Sequence, residues 1–424
     1  MKKKPTKEFL FGTILLVFFM LYTAQSGAQE TSDDEKSRFT FFGYVSYEAI
    51  FDSHRSVFTR DGELFLFPSA PTFHPETGDM LNRNTQLNML ALQSRLGVRI
   101  AGPDVLGAKL TGFVDTDFFA TAEAYKHHLR VRNAIMKLQW EKASLTMGQF
   151  WHPMFTPELF PLVVSFGAAA PFNPLNRSPQ VRLDYLPIPS VKLVFAALAH
   201  GYHASVGSES AQRDSGLPDI QFQLHIGNRP NFTTGITLGY MWLKPLEATQ
   251  ADQYYHSNEL LGAYNLQWFG RVKSSNLTLQ AKAMYGQNMT QYVMIGGYSR
   301  LLEDASKTDG FGYTNINSFS GLLEAIYQLS DNWELGLFAG SIGALGSSKK
   351  VEVNGPFWNT RAANLSRAYR ISPRLVYTQN NLMFAVEYLY NTADYGASFD
   401  DYAKPQDLTR TVNHRALFAA RYSF

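Results

Sequence analysis

Cysteine is absent from the 424 residues. An exported chain without cysteine has no disulfide framework, so its stability must come from hydrogen bonding and closure of the fold. Long apolar runs are also missing, apart from Phe9 to Tyr22. A helical membrane protein would show several such runs, and the mean hydropathy of −0.19 is that of a soluble chain. The single run follows Lys2, Lys3, Lys4 and Lys7 and precedes Ser26-Gly27-Ala28. A basic segment, an apolar segment and a small-x-small site read as a secretory signal spanning residues 1–28, cut after Ala28. The run is short for a bilayer anchor, and no cysteine follows it for lipid attachment. Excess charge of one sign is lacking too. The chain has 38 Lys plus Arg against 36 Asp plus Glu, and removing four Lys and one Glu with the signal leaves 34 and 35, a formal charge of −1. That balance gives no general attraction to nucleic acid.

Catalytic signatures are equally scarce. There is no Walker-type glycine-rich lysine motif and no Gly-x-Ser-x-Gly elbow. Gly346-Ser-Ser-Lys-Lys350 has no strand–helix context. His127, His128 and His152 lack a Glu-x-x-His or cysteine pairing, so neither a metal site nor a cofactor is expected. Asp115 and Asp117 face the same way on a strand, and a paired general acid and base is conceivable there. A charged inner face is the plainer reading.

What is present is an aromatic-rich alternation, with 32 Phe and 22 Tyr. In Arg415 to Phe424, the residues Ala416, Phe418, Ala420, Tyr422 and Phe424 share one face. Arg415, Leu417, Ala419, Arg421 and Ser423 share the other. An apolar aromatic side and a more polar side, ending on Phe424, suit the closing strand of an outer-membrane barrel. Its outer face meets lipid and its inner face meets water. Phe418, Tyr422 and Phe424 are then the signal recognised by barrel-assembly machinery. Fifteen further period-two stretches precede it. They are 39–51, 86–100, 108–118, 129–140, 144–150, 180–186, 191–200, 219–226, 233–242, 260–272, 277–286, 319–329, 333–341, 368–377 and 382–390. The fourteenth contains Pro373, which weakens it.

Links after even-numbered strands are a few residues long, such as Glu141-Lys142, Pro187–Ser190, Asn228–Asn231, Lys273–Asn276, Ser330–Asn332 and Gln379–Asn381. Links after odd-numbered strands run from about ten residues upward. Strict sorting of this kind predicts an all-β, up-and-down antiparallel transmembrane barrel of about 16 strands, with short periplasmic turns and long external loops. Residues 29–37 form a short polar tail, and residues 38–424 form one barrel domain. Trp140, Tyr185, Trp268, Trp333, Tyr422 and Phe424 fall near short-turn ends, where an aromatic girdle is expected.

Parity places Gln93, Arg95, Arg99, Lys109, Asp115, Asp117, Gln280, Lys282, Glu324, Glu387, Arg415 and Arg421 inside as pore-lining residues. Arg130 and Arg132 join them only if a bulge intervenes in the fourth strand, because they share parity with Met136 and Leu138. With Glu334 added, basic residues outnumber acidic ones, which favours small carboxylates. The link Trp151 to Pro179 carries Trp151, Phe155, Phe160 and Phe166 among six prolines and ends near Arg177. So much apolar surface cannot sit in external water, so the loop is expected to fold into the lumen as a constriction, or to bury at a subunit contact.

Several motifs between residues 80 and 190 are similar to a known family. They are Ser94-Arg-Leu-Gly-Val98, Gly107–Phe118, Leu129-Arg-Val-Arg-Asn-Ala134, Thr146-Met-Gly-Gln149 and Arg177-Ser-Pro-Gln-Val-Arg182, with Gly43-Tyr-Val45 and Val386-Glu-Tyr388 outside that span. In order and spacing they resemble the DcaP-like trimeric outer-membrane porins. The resemblance implies a 16-stranded barrel in the outer membrane of a Gram-negative bacterium, a homotrimer, and passive uptake of small, often anionic, organic solutes. Such proteins often carry a coiled-coil segment before the barrel, and residues 29–37 are too short for one. The expected partners are outer-membrane lipid, assembly machinery and small solutes, with no enzymatic activity. A barrel hydrolase and a filled structural or adhesive barrel are the alternatives.

If Phe424 is the terminal assembly signal, Phe424→Asp should leave the protein unassembled. The measurement is the heat-modifiable band in outer-membrane fractions, and a band at the parental level would contradict the expectation.

Overall fold

A computed structural model describes residues 38–59, 62–201, 203–227, 231–246, 258–304, 312–355 and 357–424. The expected signal (1–28), the polar tail (29–37) and most of the turn at 228–231 lie outside the described residues.

Sixteen strands run antiparallel in chain order: β1 (Phe39–Asp52), β2 (Gln86–Leu90 continued by Arg95–Val105), β3 (Ala108–Asp117) and β4 (Arg130–Gln139). Then come β5 (Ala143–Trp151), β6 (Arg177–Ile188), β7 (Val191–Leu198), β8 (Asp219–Ile226), β9 (Phe232–Leu243) and β10 (Leu261–Lys273). The circuit ends with β11 (Leu277–Gln287), β12 (Tyr313–Gln328), β13 (Trp333–Ser347), β14 (Leu365–Gln379), β15 (Leu382–Phe399) and β16 (Pro405–Ser423). Each pairs with the next, and β1 pairs with β16 from Tyr44↔Ser423 to Asp52↔Arg415, so the sheet closes on itself. Closure satisfies the backbone of both terminal strands and leaves no edge.

Many strands alternate a polar buried face with an apolar exposed one. On β10, Asn265 and Gln267 are buried while Tyr264, Leu266 and Trp268 are exposed. On β8, Gln221, Gln223 and His225 are buried while Ile220 and Ile226 are exposed. This is inverted relative to a soluble sandwich and is what a lipid-facing wall requires. No described helix is long and apolar enough to cross a membrane. Trp268, Trp333, Tyr422 and Phe424 are exposed at the short-link end, and Trp333 packs on Tyr377 with ring centroids 4.8 Å apart.

Local chemistry explains the links. Leu106 and Gly107, between β2 and β3, have φ of 54° and 70°. Two positive φ values are the backbone of a type I′ hairpin, whose twist matches the strands. On the opposite side one link departs from expectation. Strands β15 and β16 run far past Tyr390 and before Arg415, so their connection shrinks to residues 400–404. Pro373 does not break β14. It pairs with Leu337 on β13, while the β15 ladder skips from Ile371↔Tyr390 to Arg374↔Glu387. The proline therefore sits where its missing N–H costs one rung. The fourth strand contains the bulge that its parity demands. The register jumps from Asp115↔Asn133 to Thr116↔Val131, leaving Arg132 as the extra residue. Val131 and Met136 thereby both face outward, and Arg132 is buried.

The β1–β16 seam is pinned by one buried ion pair. Arg415 donates Nε to Asp52 Oδ1 at 2.9 Å and Nη2 to Oδ2 at 2.8 Å. Both side chains are almost fully enclosed. Losing one partner strands the other as a buried charge, at a cost of about 3–5 kcal/mol. Arg415→Met should therefore lower the urea midpoint of barrel unfolding markedly. Adding Asp52→Asn should recover much of that loss, which denaturant titration of the refolded barrel will read.

Candidate functional site

The link between β5 and β6 is held by the buried side of the wall. Trp151 is the last residue of β5 and Arg177 the first of β6, paired in register. Both were expected within the link, which runs over 152–176. It opens with a short 3₁₀ turn at Pro153–Phe155, capped by His152 Nδ1 accepting from the Met154 N–H at 3.2 Å. A second turn spans Pro157–Leu159. Prolines at both starts fix φ and forgo N–H groups that would be orphaned anyway.

A backbone with so little internal pairing needs partners elsewhere. Gln223 and Gln267 donate to the Pro153 and Met154 carbonyls at 2.9 and 2.7 Å. Lys282 donates to the Phe155 carbonyl at 2.5 Å and to Asn173 at 2.9 Å. Gln280 donates to the Phe160 carbonyl at 3.1 Å. Glu324 accepts from the Leu162 N–H at 3.0 Å, and Glu387 from the Ser165 N–H at 2.7 Å. Met154, Phe155 and Phe172 are enclosed in one cluster with Met284, Leu322, Phe338 and Ile342. Burying an aromatic of this size stabilises by roughly 1.5–3 kcal/mol.

A second link does the same and was not foreseen. Between β1 and β2 a small hairpin, Ser56–Thr59 with Leu64–Pro68, buries Phe65, Leu66 and Phe67. Arg370 donates to the Leu66 carbonyl at 3.1 Å and lies 5.1 Å over the Phe65 ring. Arg415 reaches the Gly62 carbonyl at 3.0 Å. The run Leu64-Phe65-Leu66-Phe67 in a polar link was the signal available, by the argument applied to residues 151–179.

On the opposite wall remains a cavity of about 90 Å³. Its wall side is Tyr44, Gln93, Arg95, Arg132, Arg177 and Arg421; its other side is Trp151, Phe160, Val163 to Ala168, and Leu175. Among the described residues no carboxylate lines it. Aromatic faces hold the cations in place. Arg177 lies 3.6 Å over Trp151, and Arg421 and Arg95 lie 4.3 and 5.2 Å from the Tyr44 ring. Arg421 also donates to Gln93 at 3.1 Å. Behind them, Asp117 binds Arg130 through Nε at 2.6 Å and Nη2 at 3.0 Å, and Asp115 pairs with Arg132.

The residues singled out in the sequence thus separate by their surroundings. Gln93, Arg95, Arg132, Arg177, Arg421, Trp151, Phe160 and Phe166 meet at the cavity, with Asp115, Asp117 and Arg130 behind it. Gln280, Lys282, Glu324 and Glu387 do not line it; they are enclosed and bind the 152–176 link, while Phe155 is fully buried beneath them. Arg415 is likewise consumed by Asp52 and Gly62. Arg99, stacked 4.1 Å over Phe42, and the exposed Lys109 sit toward the short-link end, away from the cavity. Phe418, Tyr422 and Phe424 face outward. Tyr44, Asp52, Arg370 and Arg374 escaped the parity reading. Arg374 pairs with Glu324 at 2.7 Å, a partner set only by strand register.

No family model matches the chain, and no curated protein matches its sequence. Solved structures do match its fold. The outer membrane channel DcaP of Acinetobacter baumannii superposes with a TM-score of 0.65 at 15% identity, covering 91% of this chain and 97% of that one. An anion-selective porin from Comamonas acidovorans gives 0.56 at 11% identity, covering 91% and 99%. OmpT of Vibrio cholerae, an outer membrane protein in its trimer form, gives 0.52 at 11% identity, again covering 91% and 99%.

One link carboxylate is tuned. Burial alone would raise the Glu158 carboxyl, but the Lys192 ammonium in contact with it and the nearby His225 outweigh that and hold it well below the usual range. A depressed folded value means the stabilisation is complete above an unfolded value of about 4.3 and fades only as pH falls through the folded one. Protease access to residues 152–176 should therefore stay constant from about pH 8 to about pH 5. Lys192→Gln should bring exposure on at milder acidity, and identical profiles for the two proteins would remove Glu158 from the anchoring set.

Proposed function

We propose that the protein is an outer-membrane diffusion channel for small anionic solutes, with the arginine-lined cavity as its selective constriction. The observation that carries this reading is the cavity's asymmetry. Four guanidinium groups converge on one side, no described carboxylate lines the space, and an apolar stretch from Val163 to Ala168 closes the other. A solute carboxylate entering loses part of its water and regains donors from Arg95, Arg177 and Arg421, so the fixed charges lower the barrier for anions and raise it for cations. The 152–176 link narrows the lumen in this scheme, and its apolar face presents no competing charge.

Mechanistically the channel needs no moving part and no cofactor. Glu324, Glu387, Lys282 and Gln280 hold the narrowing segment; Tyr44 and Trp151 hold the guanidinium planes at the passage. The likeness in fold to outer-membrane channels, among them an anion-selective porin, supports the reading. So does the lipid-compatible outer wall. Residues 1–28 serve as the export signal, residues 38–424 as the barrel, and the working assembly is a homotrimer in the outer membrane of a Gram-negative bacterium.

Reversal potentials across a planar bilayer test the proposal. The parental channel should prefer chloride over potassium. At about 1 kcal/mol per charge-assisted contact in a partly aqueous passage, Arg95→Gln plus Arg421→Gln should cut that preference roughly thirtyfold. A cation preference in the parent, or a ratio untouched by the double variant, would overturn it.

A further inference from the structure

The outer wall of β12 to β16 carries a charged cluster at one height. Trp333 and Tyr377 mark the short-link end, where Phe384 pairs with Tyr377. Ten residues along β15 from Phe384 lies Asp394. At ~3.3 Å per residue and a strand tilt of ~40°, that is about 25 Å, the height of an apolar band. Just below Asp394 come the outward Tyr369 and Tyr390 and a Tyr388 hydroxyl bonded to His414 Nδ1 at 2.6 Å. At its own level Asp394 pairs in register with Arg367 and Arg410. Arg410 clasps Asp394 at 2.6 and 2.9 Å yet stays 59% exposed. Arg367 donates to the Tyr369 hydroxyl at 2.6 Å and has no carboxylate partner among the described residues. Two cations against one anion leave the cluster positive.

Beneath it lies a groove of about 580 Å³. Its floor is made of small residues, Gly321, Ala339 and Ser341, and its sides include Leu323, Ile371 and Tyr390. A Cβ built on Gly321 would meet only the Lys282 carbonyl, at 3.8 Å, so the space above it is open. Thr392 lines the same groove; it is 4% exposed, and its hydroxyl has no hydrogen-bond partner. A buried hydroxyl left unpaired costs free energy unless an acceptor arrives.

We propose that this groove binds one phosphate-bearing acyl lipid of the leaflet on the long-loop side. An acyl chain lies over Gly321, Ala339 and Ser341, the Thr392 hydroxyl donates to the lipid's ester region, and the phosphate sits on Arg367 and Arg410. The assignment rests on the outer-membrane reading above. A second copy of the barrel fits less well. It would have to desolvate Arg367 and Arg410 at the rim, whereas a lipid phosphate brings its own charge to that height.

Full-length protein refolded in a neutral detergent, titrated with bis-phosphorylated lipid A and read by native mass spectrometry, tests this. One lipid should be retained per protomer, and the fully dephosphorylated form should not be. Arg367→Gln plus Arg410→Gln should lower the retained fraction about tenfold. Gly321→Leu, which fills the groove without a backbone clash, should do the same with the arginines intact. Equal retention by both variants would overturn the site. Displacement by excess inorganic phosphate would replace it with a soluble-anion site, and loss of oligomers with lipid still retained would replace it with a protomer interface. Unchanged single-channel conductance in both variants separates a failure here from a failure of the channel reading.

Discussion

The whole molecule depends on one backbone constraint, the closed hydrogen-bond ladder between β1 and β16. Once Tyr44 faces Ser423 and Asp52 faces Arg415, the sheet has no edge and every strand has one face inside. In lipid there is no other way to satisfy sixteen strands. Closure also commits the interior. Half of each strand points into a space where polar side chains must find water or each other.

The interior resolves this in two different ways. Along β8 to β15, glutamines, Lys282, Glu324 and Glu387 meet the backbone of the 152–176 link, while Arg370 on β14 and Arg415 on β16 meet the hairpin of the first link. Each link brings unpaired carbonyls and N–H groups, and the wall brings donors and acceptors, so each satisfies the other. The aromatic residues of both links then share one apolar cluster that includes Phe67, Phe155 and Phe172. Arg95, Arg132, Arg177 and Arg421, on β2, β4, β6 and β16, instead line a cavity whose other side is formed by Phe160 and Val163 to Ala168 of the 152–176 link.

Asp115 and Asp117 show why the arginine wall tolerates its own charge. Arg130 and Arg132 stand on the bulged strand and would repel Arg95 if unpaired. Two carboxylates on β3 neutralise them from behind, at 2.6 Å for Arg130, while Arg95, Arg177 and Arg421 stack on aromatic rings. A ring offers partial attraction without cancelling the charge.

Much of this was legible in the chain alone. Period-two alternation placed all sixteen strands, the sorting of link lengths oriented them, and the parity conflict between Arg132 and Met136 pointed to a bulge as one resolution, the one that β4 contains. These features are local: a strand's two faces and a turn's φ values are properties of neighbouring residues. The fate of the inward charges was not local. Lys282 and Arg95 read alike by parity, yet one is spent on the Phe155 carbonyl and the other lines the cavity. Asp52 meets Arg415 across nearly the whole chain, and the extended ends of β15 and β16 reflect pairing with each other rather than any apolar pattern of their own. Sequence alone determined that this protein is a closed wall with an apolar outside and a polar inside. Only the tertiary structure decided which links fill the inside and which arginines are left facing open space, because that choice depends on contacts between residues far apart in the chain.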